Sequence, residues 1–179
     1  VLTLSVLGFL AERPMHAYEL RHHISDLIGH NRLVSDGALY PAINRLRQAG
    51  HVVRRSEAGE NAPARYVLSI TVDGRAELLR RLAHPKPAEI TDGGAFFTLL
   101  AFLSQLTEPA QQAAVLQQRL DFLSRPASFF SRAGSPVRIK DAEDPYRKGM
   151  LIMARAAQRA ERAWIEEKLQ ELREASEIS

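Results

Sequence analysis

Within the stretch SDGALYPAINRLRQAGHVVRR (residues 35–55), a phenol (Tyr40), an amide (Asn44) and two guanidinium groups (Arg45, Arg47) recur at helical spacing. On a helical wheel, Leu39, Ala42, Ile43 and Leu46 fall on one face. Gly37, Tyr40, Pro41, Asn44 and Gln48 fall on the other, flanked by Arg45 and Arg47. These outward groups break no bonds. They donate and accept hydrogen bonds and carry positive charge, which is what phosphates and base edges in a major groove require. Pro41 is tolerated if it lies in about the first turn, where backbone N–H groups lack intrahelical partners.

Other reactive residue types do not assemble into known chemistry. His16, Glu19 and His23 share one helix face and could be drawn as a metal site. No cysteine accompanies them and no H-E-x-x-H run is present, so no metal and no cofactor are expected. Ser, His and Asp occur, but in no G-x-S-x-G or comparable arrangement, and no glycine-rich phosphate loop is found. The chain is not expected to be an enzyme.

The elements that must position the 35–49 helix can be read on either side of it. Leu4, Val6, Leu7, Phe9 and Leu10 predict a first helix ended by Arg13-Pro14. Met15 to Ile28 predicts a second, closed by Gly29, and the third ends at Gly50. His51–Ser56 and Ala64–Ile70 read as two strands of a hairpin, with EAGENAP as its tip. Thr71 is a good N-cap for a fourth helix that stops before Pro85. Three helices, a hairpin and a helix are the order of a winged helix-turn-helix. In that arrangement the third helix enters the groove, and Arg54, Arg55 and Arg65 on the hairpin meet phosphates.

HPKP at 84–87 is the expected domain boundary, giving a DNA-binding domain over residues 1–85 and a helical domain over 90–179. Phe96, Phe97, Leu99, Leu100, Phe102, Leu103 and Leu106 predict an apolar helix ending near Thr107. Pro109 opens the next helix, 124–136 reads as a loop or frayed helix, and Pro145 opens a long one. Along that last helix Tyr146, Met150, Met153, Ala157, Ala160 and Trp164 form a stripe, continued through Ile165, Leu169 and Leu172. Its first reading is a dimer interface. The alternative is an effector pocket, since flat aromatics and thioethers suit planar ligands. Phe96, Phe97 and Phe102 likewise read as core between dimer helices. DAEDPY (141–146) places acids where a helix macrodipole favours them.

Charge supports different jobs for the two halves. The 179 residues carry a net charge of +3. Up to residue 90 there are twelve Lys and Arg against nine Asp and Glu; beyond it the signs cancel. No run is apolar for long enough to span a membrane, and no signal-peptide pattern opens the chain. The chain begins at Val1, so a few native residues are expected to precede it, and a cytoplasmic protein is expected.

The blocks LTLSVLGFLAERPMHAYEL, SDGALYPAINRLRQAGHV and RYVLSITVDGRAEL resemble the PadR family of bacterial transcriptional regulators. The resemblance rests on Leu39-Tyr40-Pro41, on Leu46 and Gly50, and on Tyr66, Leu68, Thr71, Gly74 and Arg75. It implies a mainly α fold with a small hairpin: an N-terminal winged helix-turn-helix and a C-terminal helical dimerisation domain of the larger type. It also implies a homodimeric repressor on double-stranded operator DNA, occluding the polymerase and released by a small aromatic or drug-like effector.

Carried over by position, Tyr40, Pro41, Asn44 and Arg45 lie on the recognition helix with Gly37. Tyr18 is either a backbone contact or core, and Ser35 either an N-cap or a phosphate donor. Ala17 stands where the family commonly has glycine. Glu57 and Glu60 at the wing tip oppose deep insertion into a minor groove. The competing class is a winged-helix protein-interaction module without specific DNA binding.

Overall fold

The computed structural model describes residues 1–29, 34–57, 65–125, 130–132 and 135–178. The chain divides into two compact units, Val1–Thr107 and Glu108–Ser179. In the first unit, α1 (Leu2–Glu12) is apolar nearly all round and buries Leu4, Val6, Leu7 and Leu10. A helix of this kind belongs in the middle of a core. Around it stand α2 (Ala17–Ile28), α3 (Asp36–Gln48) and α4 (Val72–Ala83).

The sheet has one strand more than the hairpin expected from sequence. After Pro14, Met15–His16 stay extended as β1 and pair antiparallel with β3 (Arg65–Ile70), Met15 opposite Leu68. β2 (Val52–Glu57) pairs with the other edge of β3, Arg54 opposite Leu68 and Arg55 opposite Val67. The order is β1-β3-β2, so α2 starts at Ala17 rather than Met15. The wing tip, including Glu60, lies outside the described residues.

The joint between wing and α4 is tightly specified. Thr71 caps α4 as expected: its hydroxyl accepts from the Gly74 N–H at 2.9 Å and donates to the Gly50 carbonyl at 2.7 Å. A Cβ on Gly74 would sit 2.0 Å from the His51 carbonyl oxygen, so only glycine lets α4 lie against the turn that joins α3 to β2. Gly50 itself has a φ of 75°, the left-handed conformation that closes a helix. Wing and α3 are thereby held in one geometry.

The apolar segment after Pro87 packs differently from the expectation. It forms α5 (Pro87–Thr91), α6 (Gly93–Ala101) and a single 3-10 turn at Leu103–Gln105, instead of one helix to Thr107. All three belong to the first compact unit, so its edge falls after Thr107 and not at HPKP. The reason is a close approach: a Cβ on Gly8 would lie 2.6 Å from the Phe102 ring, which also meets Phe9 edge-on at 5.0 Å. Gln105 Nε2 donates to the Gly8 carbonyl at 3.2 Å.

The second unit pairs α7 (Pro109–Leu123) with the long α8 (Pro145–Ile178). Leu151, Ile165, Leu169 and Leu172 on α8 are buried, as are Val115, Leu116 and Leu123 on α7. Arg119, only 4% exposed, makes a two-pronged ion pair with Glu161 at 2.7 and 3.1 Å, which satisfies a charge taken out of water. Two short strands, β4 (Ser131–Arg132) and β5 (Ser135–Pro136), pair within the segment read as a loop. Among the described residues no helix is long and apolar enough to cross a membrane.

Candidate nucleic-acid interface

The sequence of α3 sorts itself by periodicity. Leu39, Ala42, Ile43 and Leu46 are buried, which leaves Tyr40, Asn44, Arg45, Arg47 and Gln48 outward and exposed. Pro41 lies in the second turn, not the first, so the Gly37 carbonyl loses the helical bond that position 41 would have given it. Gly37 is exposed, and the nearest atom a Cβ there would meet is Ser35 Oγ at 4.0 Å. Ser35 holds the N-cap position, yet its hydroxyl makes no capping bond. Arg47 donates to Asn44 Oδ1 at 3.4 Å, while Arg45 makes no ion pair among the described residues.

The wing contributes one arginine to this side. Successive strand residues face opposite ways, so Arg54 shares the face of Tyr66 and Leu68, and Arg55 points to the other. The Arg54 guanidinium carbon lies 3.2 Å from the Tyr66 ring centroid, a cation held against an aromatic face. Arg65 begins β3 opposite Glu57.

Tyr18, in the first turn of α2, is 66% exposed and therefore not core. Its ring meets His22 edge-on at 4.4 Å, with Arg21 at 5.6 Å. Tyr18, Tyr40, Asn44 and Arg54 converge on one cavity of about 540 Å³. Arg47, expected on the flank of the outward face, also lines it, as do His16 and Tyr66, two residues that the sequence does not assign to the site. Tyr66 had a signal, since it alternates in phase with Leu68 and so shares the Arg54 face. His16 had none: its ring Nδ1 lies 3.0 Å from the Tyr66 carbonyl oxygen, a contact fifty residues away in sequence.

The His16/Glu19/His23 face is used otherwise than as a ligand set. Glu19 pairs with Arg13, which holds its carboxyl below the usual carboxylate range. His23 stacks on Phe9 at 5.4 Å. Among the described residues no group of three or more His, Asp or Glu could hold a metal ion.

The residues expected at a dimer or effector surface divide between the units. Phe96 and Phe102 are buried within the first unit, so they do not form an exposed face; Phe97 is exposed. In the second unit Tyr146 is 85% exposed, Met153 68% and Trp164 45%, with Ala157 exposed and Met150 half-buried. This stripe lies roughly a third of a turn around α8 from the face that covers α7.

Three helices, a three-stranded antiparallel sheet and an outward-facing third helix beside the wing make the first unit a winged helix-turn-helix. Residues 6–80 match the model described as the transcriptional regulator PadR-like family. No curated protein matches the chain. Among solved structures, a transcriptional regulator from Thermoplasma acidophilum is 29% identical, covering 45% of this chain and 75% of its own, with a TM-score of 0.41. Bacillus subtilis PadR in complex with operator DNA is 19% identical over 94% of this chain and 98% of its own, at 0.46. A PadR-like transcriptional regulator from Bacillus cereus is 17% identical over 95% and 94%, at 0.42.

Proposed function

We propose that this chain is a homodimeric, sequence-specific transcriptional repressor acting in the cytoplasm on a pseudo-palindromic operator. The observation that carries the reading is the outward face of α3. It presents Tyr40, Asn44, Arg45 and Arg47 together, next to Arg54 of the wing, and the one carboxylate of the helix, Asp36 in its first turn, is paired with Arg21 of α2. Asn44 and Arg45 have the groups that pair with adenine and guanine edges, and Tyr18, Ser35 and Arg65 are assigned to backbone phosphates, whereas Arg55 faces the other side of the wing. Glycine at 37 lets the helix backbone approach the duplex closely. A module that binds only protein has no need of this set beside a basic strand.

The dimer is assigned to α8. Tyr146 and Trp164, Met150 and Ala160, and Met153 and Ala157 lie nine, five and two residues on either side of Arg155. The stripe is therefore self-complementary when two copies of α8 run antiparallel about a two-fold axis. Each methionine then faces an alanine and each tyrosine a tryptophan, as an isologous interface requires. Two domains so joined read two half-sites.

Selection of bound duplexes from a random pool tests the reading, with two related half-sites as the expected outcome. Arg45→Ala costs about 1–3 kcal/mol on the selected site if the arginine reads a base, and weakens all sequences alike if it meets phosphate. A pool without enrichment, together with capture of a protein partner through the α3 face, would favour the interaction-module reading.

A further inference from the structure

We propose that α8 carries a binding site for a polyphosphate, a ligand with two or more phosphoryl groups in a row, either inorganic or part of a nucleotide. The site belongs wholly to the second unit. Arg155, Arg159 and Arg162 line one cavity of about 800 Å³ together with Ile139 and Ile152. That volume suits a small ligand of nucleotide size. Arg155 and Arg159 are four residues apart and Arg159 and Arg162 three, so the side chains stand in one row, neighbours about 5–6 Å apart at Cβ.

The charge pattern of α8 is more than the helix needs for itself. Toward its end the cations are matched: Arg162 donates to Glu166 at 3.3 Å and Lys168 to Glu171 at 2.6 Å. From Pro145 to Ala160 there are four Lys and Arg and no Asp or Glu. Arg155 and Arg159 make no ion pair among the described residues, and like charges four apart on a helix repel. Among the described residues Glu166 is the one carboxylate lining the cavity, and Arg162 already engages it. A run of phosphoryl groups along the row removes the repulsion, each guanidinium fork donating to phosphate oxygens.

Apolar surface beside the row gives a nucleotide base somewhere to lie. Ile152 is 48% exposed, and Ile139, on the 3-10 turn Ile139–Asp141, lines the same cavity. Gln158 is fixed by the bond from its Nε2 to the Leu123 carbonyl at 2.6 Å, which leaves its amide oxygen as an acceptor for a hydroxyl or amino group.

The row also stays open in the dimer proposed above. Arg155 lies two residues from Met153 and two from Ala157, which places it about 200° around the helix from both. It therefore points away from the stripe assigned to the two-fold contact. Binding itself rests neither on that dimer nor on the DNA-binding reading.

The test is a calorimetric titration of the full chain with sodium tripolyphosphate in magnesium-free buffer, beside ATP and AMP. One saturable site per chain is expected for tripolyphosphate and for ATP, with AMP at least about tenfold weaker. Arg155→Gln and Arg159→Gln each weaken tripolyphosphate about tenfold, with the melting temperature unchanged or raised because a repulsion has been removed. The double variant Arg47→Gln/Arg54→Gln in the first unit binds as wild type does. ATP tighter than tripolyphosphate, with the excess lost in Ile152→Ser, makes the nucleotide the ligand; ATP no tighter makes it the inorganic chain.

No saturable binding of either polyphosphate, or binding that survives the double variant Arg155→Gln/Arg159→Gln, overturns the site. So does binding lost in Arg47→Gln/Arg54→Gln, which would move the anion to the face of α3 and the wing. AMP as tight as ATP overturns the ligand class. A chain that binds tripolyphosphate through Arg155 and Arg159 but binds no DNA would sink the regulator reading and leave this site standing.

Discussion

The Arg54 guanidinium lies face-on to Tyr66, across the strand pair and two residues along β3 from Leu68, its partner in the register. A long cationic side chain on an exposed strand normally loses rotamer freedom when it meets a phosphate. Here the ring has already restricted it. Tyr66→Leu, which removes the π face but keeps an apolar side chain, is expected to weaken DNA binding by less than Arg54→Ala does. Arg54→Ala itself lowers the slope of log affinity against log salt by about one. Anisotropy at several salt concentrations reads both effects, and equal slopes for wild type and Arg54→Ala would remove this arginine from the interface.

Gly37 offers a separation of stability from binding. A methyl group there meets nothing closer than Ser35 Oγ at 4.0 Å, and the residue is in helical conformation. Gly37→Ala is therefore expected to stabilise the fold by about 0.5–1 kcal/mol in thermal or urea unfolding. The same substitution should weaken DNA binding if the duplex approaches the α3 backbone at this point. Unchanged affinity would place Gly37 outside the contact.

Acid stability should depend on Glu77. Arg80 donates to it at 2.7 Å and Arg81 at 2.6 Å, and these bonds, Arg80 first, hold its carboxyl at about 2 from an ordinary 4.5. The folded value lies below the unfolded one. The contribution is thus complete above about pH 4.5 and disappears as pH falls through about 2. Arg80 is well exposed, so screening limits the effect to about 1 kcal/mol. Glu77→Gln should lower stability by that amount at pH 7 and converge with wild type near pH 2; a constant difference across the range would contradict the assignment.

The antiparallel α8 pairing has a sharp chemical test, because the chain contains no cysteine. A mixture of Tyr146→Cys and Trp164→Cys chains is expected to cross-link under mild oxidation. In that pairing two copies of position 146 stand roughly 27 Å apart along the helices, so neither variant cross-links with itself. Self-cross-linking of Tyr146→Cys alone would mean parallel helices, and no cross-link in any combination would move the dimer off this stripe.

The winged helix was readable because its signals are local. The 3.6 period of α3, the Thr71 cap and the glycine stops at 29 and 50 each act within a turn or two. What escaped depended on distant partners. Met15 and His16 are two extended residues whose only reason to be a strand is β3, and their apolar and polar pattern continues smoothly into α2. Pro85 and Pro87 look like a linker, yet the helices beyond them return because Gly8 leaves room for Phe102. Arg54 and Arg55 are adjacent in sequence and were read together, whereas the pleat sends them to opposite faces. The ring of His16, Tyr18, Tyr40 and Tyr66 around one cavity depends on three elements meeting, which no single-segment pattern encodes.

The most direct test of the central claim is fluorescence-anisotropy binding of the full chain to the DNA upstream of its own gene. Scrambled DNA of equal length runs alongside, and salt is raised from low to near-physiological. The account predicts saturable binding to the upstream sequence that persists at the higher salt, while binding to the scrambled duplex is lost. Absence of binding to either duplex even at low salt would contradict it.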